Sequence, residues 1–292
     1  MINRITSSMM TTASGRNLQK ATSDLAKAQE QASTLKKITR PSDDPSGTMQ
    51  AMNVRASIQA TEQYMRNTQD GQAWLTAADS ALSNVSTLLG RAKDLLVQAN
   101  NGSLNPAGRA AIAADLDSIR AEMLTAANTK YLDRNVFAGS SDSAKAFNPD
   151  FTYNGGSGSV ERRIDENTTV RVDVDGNTLF GSGATSVFAE LAQISADIRA
   201  GNPVGAAQDT IQARFDKTLD IQASVGARQA TLIRAEEFQQ SSILNLNTSK
   251  VDLEDVDAAI AYTQLAMQQQ SYQAALQITA KSMPQNLMDF LR

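Results

Sequence analysis

At 292 residues with 41% hydrophobic side chains, the chain can hold two modest domains with a real core, and 5% aromatic residues means a core of Ala, Leu, Ile and Val. That composition favours close helix packing over a large β-sandwich. The absence of cysteine and histidine excludes disulfides, Cys or His metal ligands, Ser-His-Asp triads and Cys-His dyads, and a net charge of -4 without a dense Lys/Arg run gives a nucleic-acid role little electrostatic support.

Met1–Met10 carries one basic residue and lacks the apolar block of a Sec signal peptide. No apolar run approaches the ~18 residues of a membrane span. Taken alone, these features suit a cytoplasmic protein. Between residues 15 and 40, Leu18, Ala21, Leu25, Ala28, Ala32 and Leu35 alternate by three and four, the seam of a first helix. Arg40-Pro41-Ser42-Asp43-Asp44-Pro45 cannot continue it, because Pro41 pushes Arg40 out of the α region and Pro45 lacks a donor. Asp44 as N-cap with Pro45 at the first helical position starts a second helix. This helix runs to about Gln98, with Leu75, Ala78, Leu82, Val85, Leu89, Ala92, Leu96 and Ala99 on one face. Asn100-Asn101-Gly102-Ser103 stops it. A third helix follows Pro106 with Ile112, Leu116, Ile119, Met123 and Ala126 facing inward.

After Tyr131 the period drops to two: Phe151 and Tyr153, then Val160, Arg162 and Ile164, then Val170, Val172 and Val174. These read as short antiparallel strands, with Gly155-Gly156 and Asp175-Gly176-Asn177 as hairpin turns. Asp173 and Asp175 before Gly176 hint at a calcium loop, but Arg171 holds the first ligand position and Ser182 the twelfth. Helical spacing resumes at Val187, Leu191, Ile194 and Ile198. It pauses at Gly201-Asn202-Pro203 and continues to Leu246, after which Asn-Thr-Ser-Lys reads as a link.

The last helix, expected from Val256 to Met283, would be roughly 42 Å long at 1.5 Å per residue. Its seam is Ala258, Tyr262, Leu265, Gln269, Tyr272, Leu276, Thr279 and Met283, with a second row of Val256, Ile260, Met267, Ala274 and Ile278 beside it. One partner helix would not cover both. Residues 1–40 carry a net charge of +5 and residues 251–292 a net charge of -3. An antiparallel terminal pair would therefore set Lys36, Lys37 and Arg40 beside Asp252–Asp257, although the same charges also suit the ends of two unrelated helices. The fold expected is mainly α: a long antiparallel helical or coiled-coil rod from both chain ends, with a small antiparallel β insertion in the middle. No pair of carboxylates suggests a cleft, which makes an enzyme the weakest reading and leaves a coiled-coil scaffold open.

Several segments resemble the flagellin-like axial proteins of bacterial flagella. They are Ile2–Met10, Arg40-Pro41-Ser42-Asp43-Asp44-Pro45, Asn101-Gly102-Ser103-Leu104, Ala113-Ala114-Asp115-Leu116, Ala127-Asn128-Thr129 with Asn135-Val136-Phe137-Ala138-Gly139, and Val225-Gly226-Ala227-Arg228-Gln229. The Gln-rich Tyr272–Gln277 and the closing Leu287–Leu291 complete the likeness. Filament subunits typically carry a Lys-Asp-Asp-Ala-Ala-Gly type of connector. The Pro-Ser-Asp-Asp-Pro form here is similar to that of members joining hook to filament, whereas the Phe290-Leu291-Arg292 end is similar to a flagellin terminus.

The resemblance implies no cofactor and no metal. It implies paired terminal helices at 1–40 and 252–292 lining an axial core, a helical rod domain at 41–138 and 186–251, and a β-rich outer insertion at 139–185. The seam positions Leu18, Leu25, Leu35, Tyr262, Leu265, Tyr272, Leu276 and Met283 would carry assembly, and Pro41, Asp43, Asp44 and Pro45 would form a connector that also touches a neighbouring subunit. Expected partners are further copies in a helical array, the preceding hook-associated protein, flagellin, and an export chaperone on the C-terminal helix; nucleic acid and membrane are not expected. An extracellular place follows from export through the flagellar type III apparatus. Because an isolated chain cannot cover both faces of its last helix, the ends would be disordered or chaperone-held until stacked copies supply the missing faces.

Overall fold

The computed structural model describes residues 7–101 and 104–282. In chain order these form helices α1 (Ser7–Thr34), α2 (Pro45–Ala99) and α3 (Pro106–Ala127). Then come strands β1 (Lys130–Tyr131), β2 (Arg134–Asn135), β3 (Glu161–Arg163) and β4 (Thr169–Arg171), followed by helices α4 (Gly176–Phe180), α5 (Val187–Ala200), α6 (Gly205–Glu254) and α7 (Ala258–Ser282). Among the described residues the fold is mainly α with two small antiparallel sheets. The described residues divide into two compact units, those of Met1–Ala60 with Ile243–Arg292, and Thr61–Ser242.

Within Thr61–Ser242, α2 and α6 run antiparallel. Gln72 Nε2 donates to Glu236 at 2.9 Å and, further along, Gln222 Nε2 donates to Asp79 at 3.1 Å. The face read from spacing is the face that is buried: Leu75, Ala78, Leu82, Val85, Leu89, Ala92 and Leu96 are all inside. Asn105 caps α3 through Gly108 N with Pro106 at the first helical position. Ile112, Leu116, Ile119, Met123 and Ala126 join the same core, and Ser195 Oγ on α5 donates to Ala113 O at 3.0 Å.

The apolar residues of the segment expected as a β-rich insertion at 139–185 share one core with the helices, and Phe137, Phe147, Phe180 and Phe188 form an aromatic hub with ring centroids 5.4 to 5.5 Å apart. Such edge-to-face and stacked pairs tie the loops to α5. β3 and β4 pair antiparallel, as the alternation indicated, and the register sets Arg162 opposite Val170. Asp175-Gly176-Asn177 is not a hairpin turn: Asp175 caps α4 by accepting from Asn177 N at 3.0 Å. The calcium-loop alternative fails on the same ground, since the buried Asp173 is held by Arg171 at 2.8 Å. Gly139 has φ 58, and a Cβ there would lie 2.7 Å from Gly156 O, so the Gly155-Gly156 loop packs closely over it.

The β1–β2 hairpin was not anticipated. Its two-residue turn has positive φ at Leu132 (46°) and Asp133 (62°), a type I′ geometry that Asn-Gly normally fills.

Two helix ends also differ from expectation. α1 stops at Thr34, short of residue 40, because Leu35 takes φ 54. The anticipated link at 247–250 is helical: it contains no Gly or Pro, and Thr248 and Ser249 donate their hydroxyl protons one turn back to Leu244 O and Asn245 O, both at 3.0 Å. The break falls at residues 255–257.

Candidate assembly interface

In the unit built from both ends of the chain, α1 packs along α7. Leu35 and Lys36 meet Asp255 and Val256 in a short antiparallel bridge: Lys37 N donates to Glu254 O at 2.7 Å and Val256 N to Leu35 O at 2.9 Å. The bridge joins the residues just after α1 to those just before α7, so the two helices run antiparallel. Leu35, expected on the seam, is a corner residue whose carbonyl closes this bridge.

The bridge is fastened by Glu254, 3% exposed. Arg55 grips it bidentately, Nε to Oε1 and a terminal nitrogen to Oε2, each at 2.7 Å. Lys36 Nζ stands 3.8 Å away. Arg55, and to a lesser degree Lys36, hold the Glu254 carboxyl below the usual glutamate range despite its burial. The expected charge pairing between the ends is therefore present for Lys36 alone: Arg40 pairs with Glu30 at 3.5 Å. Asp257 caps α7 by accepting from Ala259 N at 2.7 Å.

Connector residues 35–44 are organised from within. Asp43 accepts from Lys27 Nζ and Thr39 Oγ1, both at 3.0 Å, and from Arg40 N at 3.1 Å. The Lys27 hydrogen bond, then that of Thr39, lowers its carboxyl from the ordinary aspartate value. Asp44 Oδ1 accepts from Gly47 N at 2.9 Å, and Pro45 is the first residue of α2. Pro41 is exposed at the turn.

On α1, Leu18, Ala21, Leu25, Ala28 and Ala32 face inward, with Ala28 only 4% exposed. On α7 the inward row is Ala261, Leu265, Gln268, Tyr272, Ala275 and Thr279. Leu265 and Tyr272 thus lie on the paired face, and Tyr262 and Leu276 lie off it and exposed; Met283 falls outside the described residues. At about 100° per residue, Ile260, Met267 and Ile278 form a stripe roughly 100° to one side of the inward row, and Tyr262 and Leu276 one roughly 80° to the other. All five are exposed. α1 covers the middle of a wide apolar face and leaves a strip on each flank. Residue spacing did not reveal the Arg55–Glu254 clasp, because a single contact between residues 199 apart has no periodic trace.

Residues 5–142 match the model of the bacterial flagellin N-terminal helical region and residues 209–291 that of the bacterial flagellin C-terminal helical region. The chain belongs to the bacterial flagellin family. Among curated relatives, this family member is similar to flagellar hook-associated protein 3 of Escherichia coli, 27% identical over 93% of this chain and 94% of that one. It is also similar to flagellin of Bacillus subtilis, 26% identical over 100% of this chain and 96% of that one. Among solved structures, it shares its fold with the flagellar junction protein FlgL of Legionella pneumophila (TM-score 0.58, 16% identity, 71% of this chain and 100% of that one). Bacillus cereus FlgL gives a TM-score of 0.54 at 23% identity, over 62% of this chain and 97% of that one. The flagellin-family chain is a structural component of the bacterial flagellum. Among its described residues no helix is long and apolar enough to cross a membrane.

Proposed function

We propose that this chain joins the flagellar hook to the filament, assembling through its paired terminal helices into a helical array of copies. The observation that carries the reading is the pair of uncovered apolar strips flanking the inward face of α7. Burying five such side chains stabilises an assembly by on the order of 10 kcal/mol gross, at about 1.5 to 3 kcal/mol each. Contacts that repeat head to tail extend into helical order. Likeness at matched length to hook-associated protein 3, and the proline-flanked connector, favour the junction over the filament itself. The hook-side neighbour is then a preceding hook-associated protein and the filament-side neighbour is flagellin. The chain travels through the flagellar type III apparatus to the cell exterior, with a chaperone shielding the strips of α7 on the way.

A filament subunit is the second reading, favoured by the full-length likeness to Bacillus subtilis flagellin. Deletion separates the two. Loss of a junction subunit leaves bare hooks and flagellin shed into the medium, and restoring the chain restores filaments. A deletion strain with attached filaments would rule the junction role out.

A further inference from the structure

We propose that the β1–β2 turn of one copy is a knob that enters a socket on α6 of a neighbouring copy; this deepens the assembly role and rests on it. Leu132 is 74% exposed although its backbone sits in the left-handed region, followed by Asp133 in the same region. A large apolar side chain held in water on a backbone that resists it is a poor choice for a turn that only reverses the chain. The hairpin beneath it is anchored to α2: Tyr131 packs edge-on against Trp74 at 5.8 Å, and Lys130 pairs with Asn135.

The socket is a cleft of about 330 Å³ in the same unit, with Tyr64, Ile164 and Phe238 among its walls. Phe238 is 71% exposed, second only to Leu132 among the exposed large apolar side chains described in this unit, ahead of Val97, Leu219 and Ile233. Gln239, buried at the same cleft, donates through Nε2 to Thr68 Oγ1 and Ile164 O, while its Oε1 has no partner among the described residues.

The rims carry opposite charge. Arg234 bonds only Ala230 O and Thr231 Oγ1, and Asp165 bonds only backbone; neither has an ion-pair partner among the described residues. The knob offers Lys130 and Asp133, equally unpaired there. With Leu132 against Phe238, Asp133 faces Arg234 and Lys130 faces Asp165. On one molecule the knob stands at Trp74 and the socket at Tyr64, ten residues or roughly 15 Å apart along α2. The knob therefore serves a different copy, and the contact joins two unlike patches and propagates.

The chain has no cysteine, so an engineered pair is unambiguous. In flagella assembled from a full-length L132C/F238C chain, oxidation yields a disulfide-linked ladder extending beyond the dimer, and either single variant, whose cysteine has no thiol opposite it, stays monomeric. D133R and R234D each lower incorporation at least tenfold, and the double variant restores it. L132N suits the backbone better than leucine, so it preserves folding read through Trp74 fluorescence yet lowers incorporation at least tenfold. Absence of the Leu132–Phe238 cross-link in assembled flagella, a cross-link only to another flagellar protein, failure of D133R/R234D to rescue, or normal incorporation of L132N each overturns the contact. Any of these beside bare hooks in the deletion strain leaves the junction reading standing. Attached filaments in that strain remove the junction reading whatever the cross-links show.

Discussion

Replacing Arg55 by alanine tests whether one ion pair fastens the two ends of the chain. The substitution leaves Glu254, 3% exposed, with Lys36 at 3.8 Å as its only ion-pair partner among the described residues. Hydrogen bonds to charged groups contribute about 1.5 to 3 kcal/mol, and removing one partner of a fully buried pair costs about 3 to 5 kcal/mol. The Arg55 side chain is 54% exposed, so water screens the pair and about 2 kcal/mol is the appropriate figure. That corresponds to roughly thirty-fold faster exchange of the Lys37 and Val256 amide protons, whose hydrogen bonds close the bridge. The Glu254→Gln variant costs less, because it removes the buried charge itself and leaves Arg55, 54% exposed, to be solvated by water. The R55A/E254Q double variant falls short of the sum of the singles by more than about 0.5 kcal/mol, as expected for residues in direct contact. Since Glu254 is held below the ordinary glutamate value of 4.5, its contribution is present in full well above that pH. The folded form releases its proton more readily than the unfolded chain, so the contribution drains away as pH falls below 4.5 towards the folded value. Additive single variants, or bridge protection in wild type that is the same at pH 6 as well below pH 4.5, would refute the clasp.

Ile260→Ser with Met267→Ser leaves the melting of the free chain unchanged to within about 0.5 kcal/mol, since both side chains are exposed, but abolishes incorporation into flagella. Leu265→Ala, on the paired face, instead loosens α1 from α7 in the free chain, seen as faster proteolysis of both. Gly139→Ala lowers the stability of Thr61–Ser242 by more than about 1 kcal/mol in urea, because φ is 58 and the new Cβ would lie 2.7 Å from Gly156 O. Asp44→Ala costs about 1 kcal/mol through loss of the α2 cap at Gly47 N, read by urea unfolding of the terminal unit followed through helical circular dichroism of the full chain.

The helices were legible wherever burial repeats. The Leu75–Leu96 row and the α3 face are periodic over several turns, and the structure buries the residues that spacing selected. Asp44 and Pro45 were legible because capping is local chemistry. What spacing could not reach depends on single backbone torsions or on partners distant in sequence. The seam drawn through Tyr262, Gln269 and Leu276 lies on one flank of α7, while Ala261 and Ala275 stand on its inward face. Leu35 and Leu132 adopt positive φ that no residue-type rule assigns to leucine, and so the α1 corner and the β1–β2 turn were missed. Asp175-Gly176-Asn177 carried the signature of a hairpin turn, and the core drew it into α4, where Leu179 and Phe180 are buried.

Hydrogen exchange of the full chain, alone and within purified hook–filament junctions, tests most directly whether neighbours complete the terminal pair. The account predicts that α1 and α7 amides in the free chain exchange far faster than those of the α2, α3 and α5 core, and that assembly slows them to the level of that core. Terminal helices as well protected in the free chain as the core, with no further slowing on assembly, would contradict it.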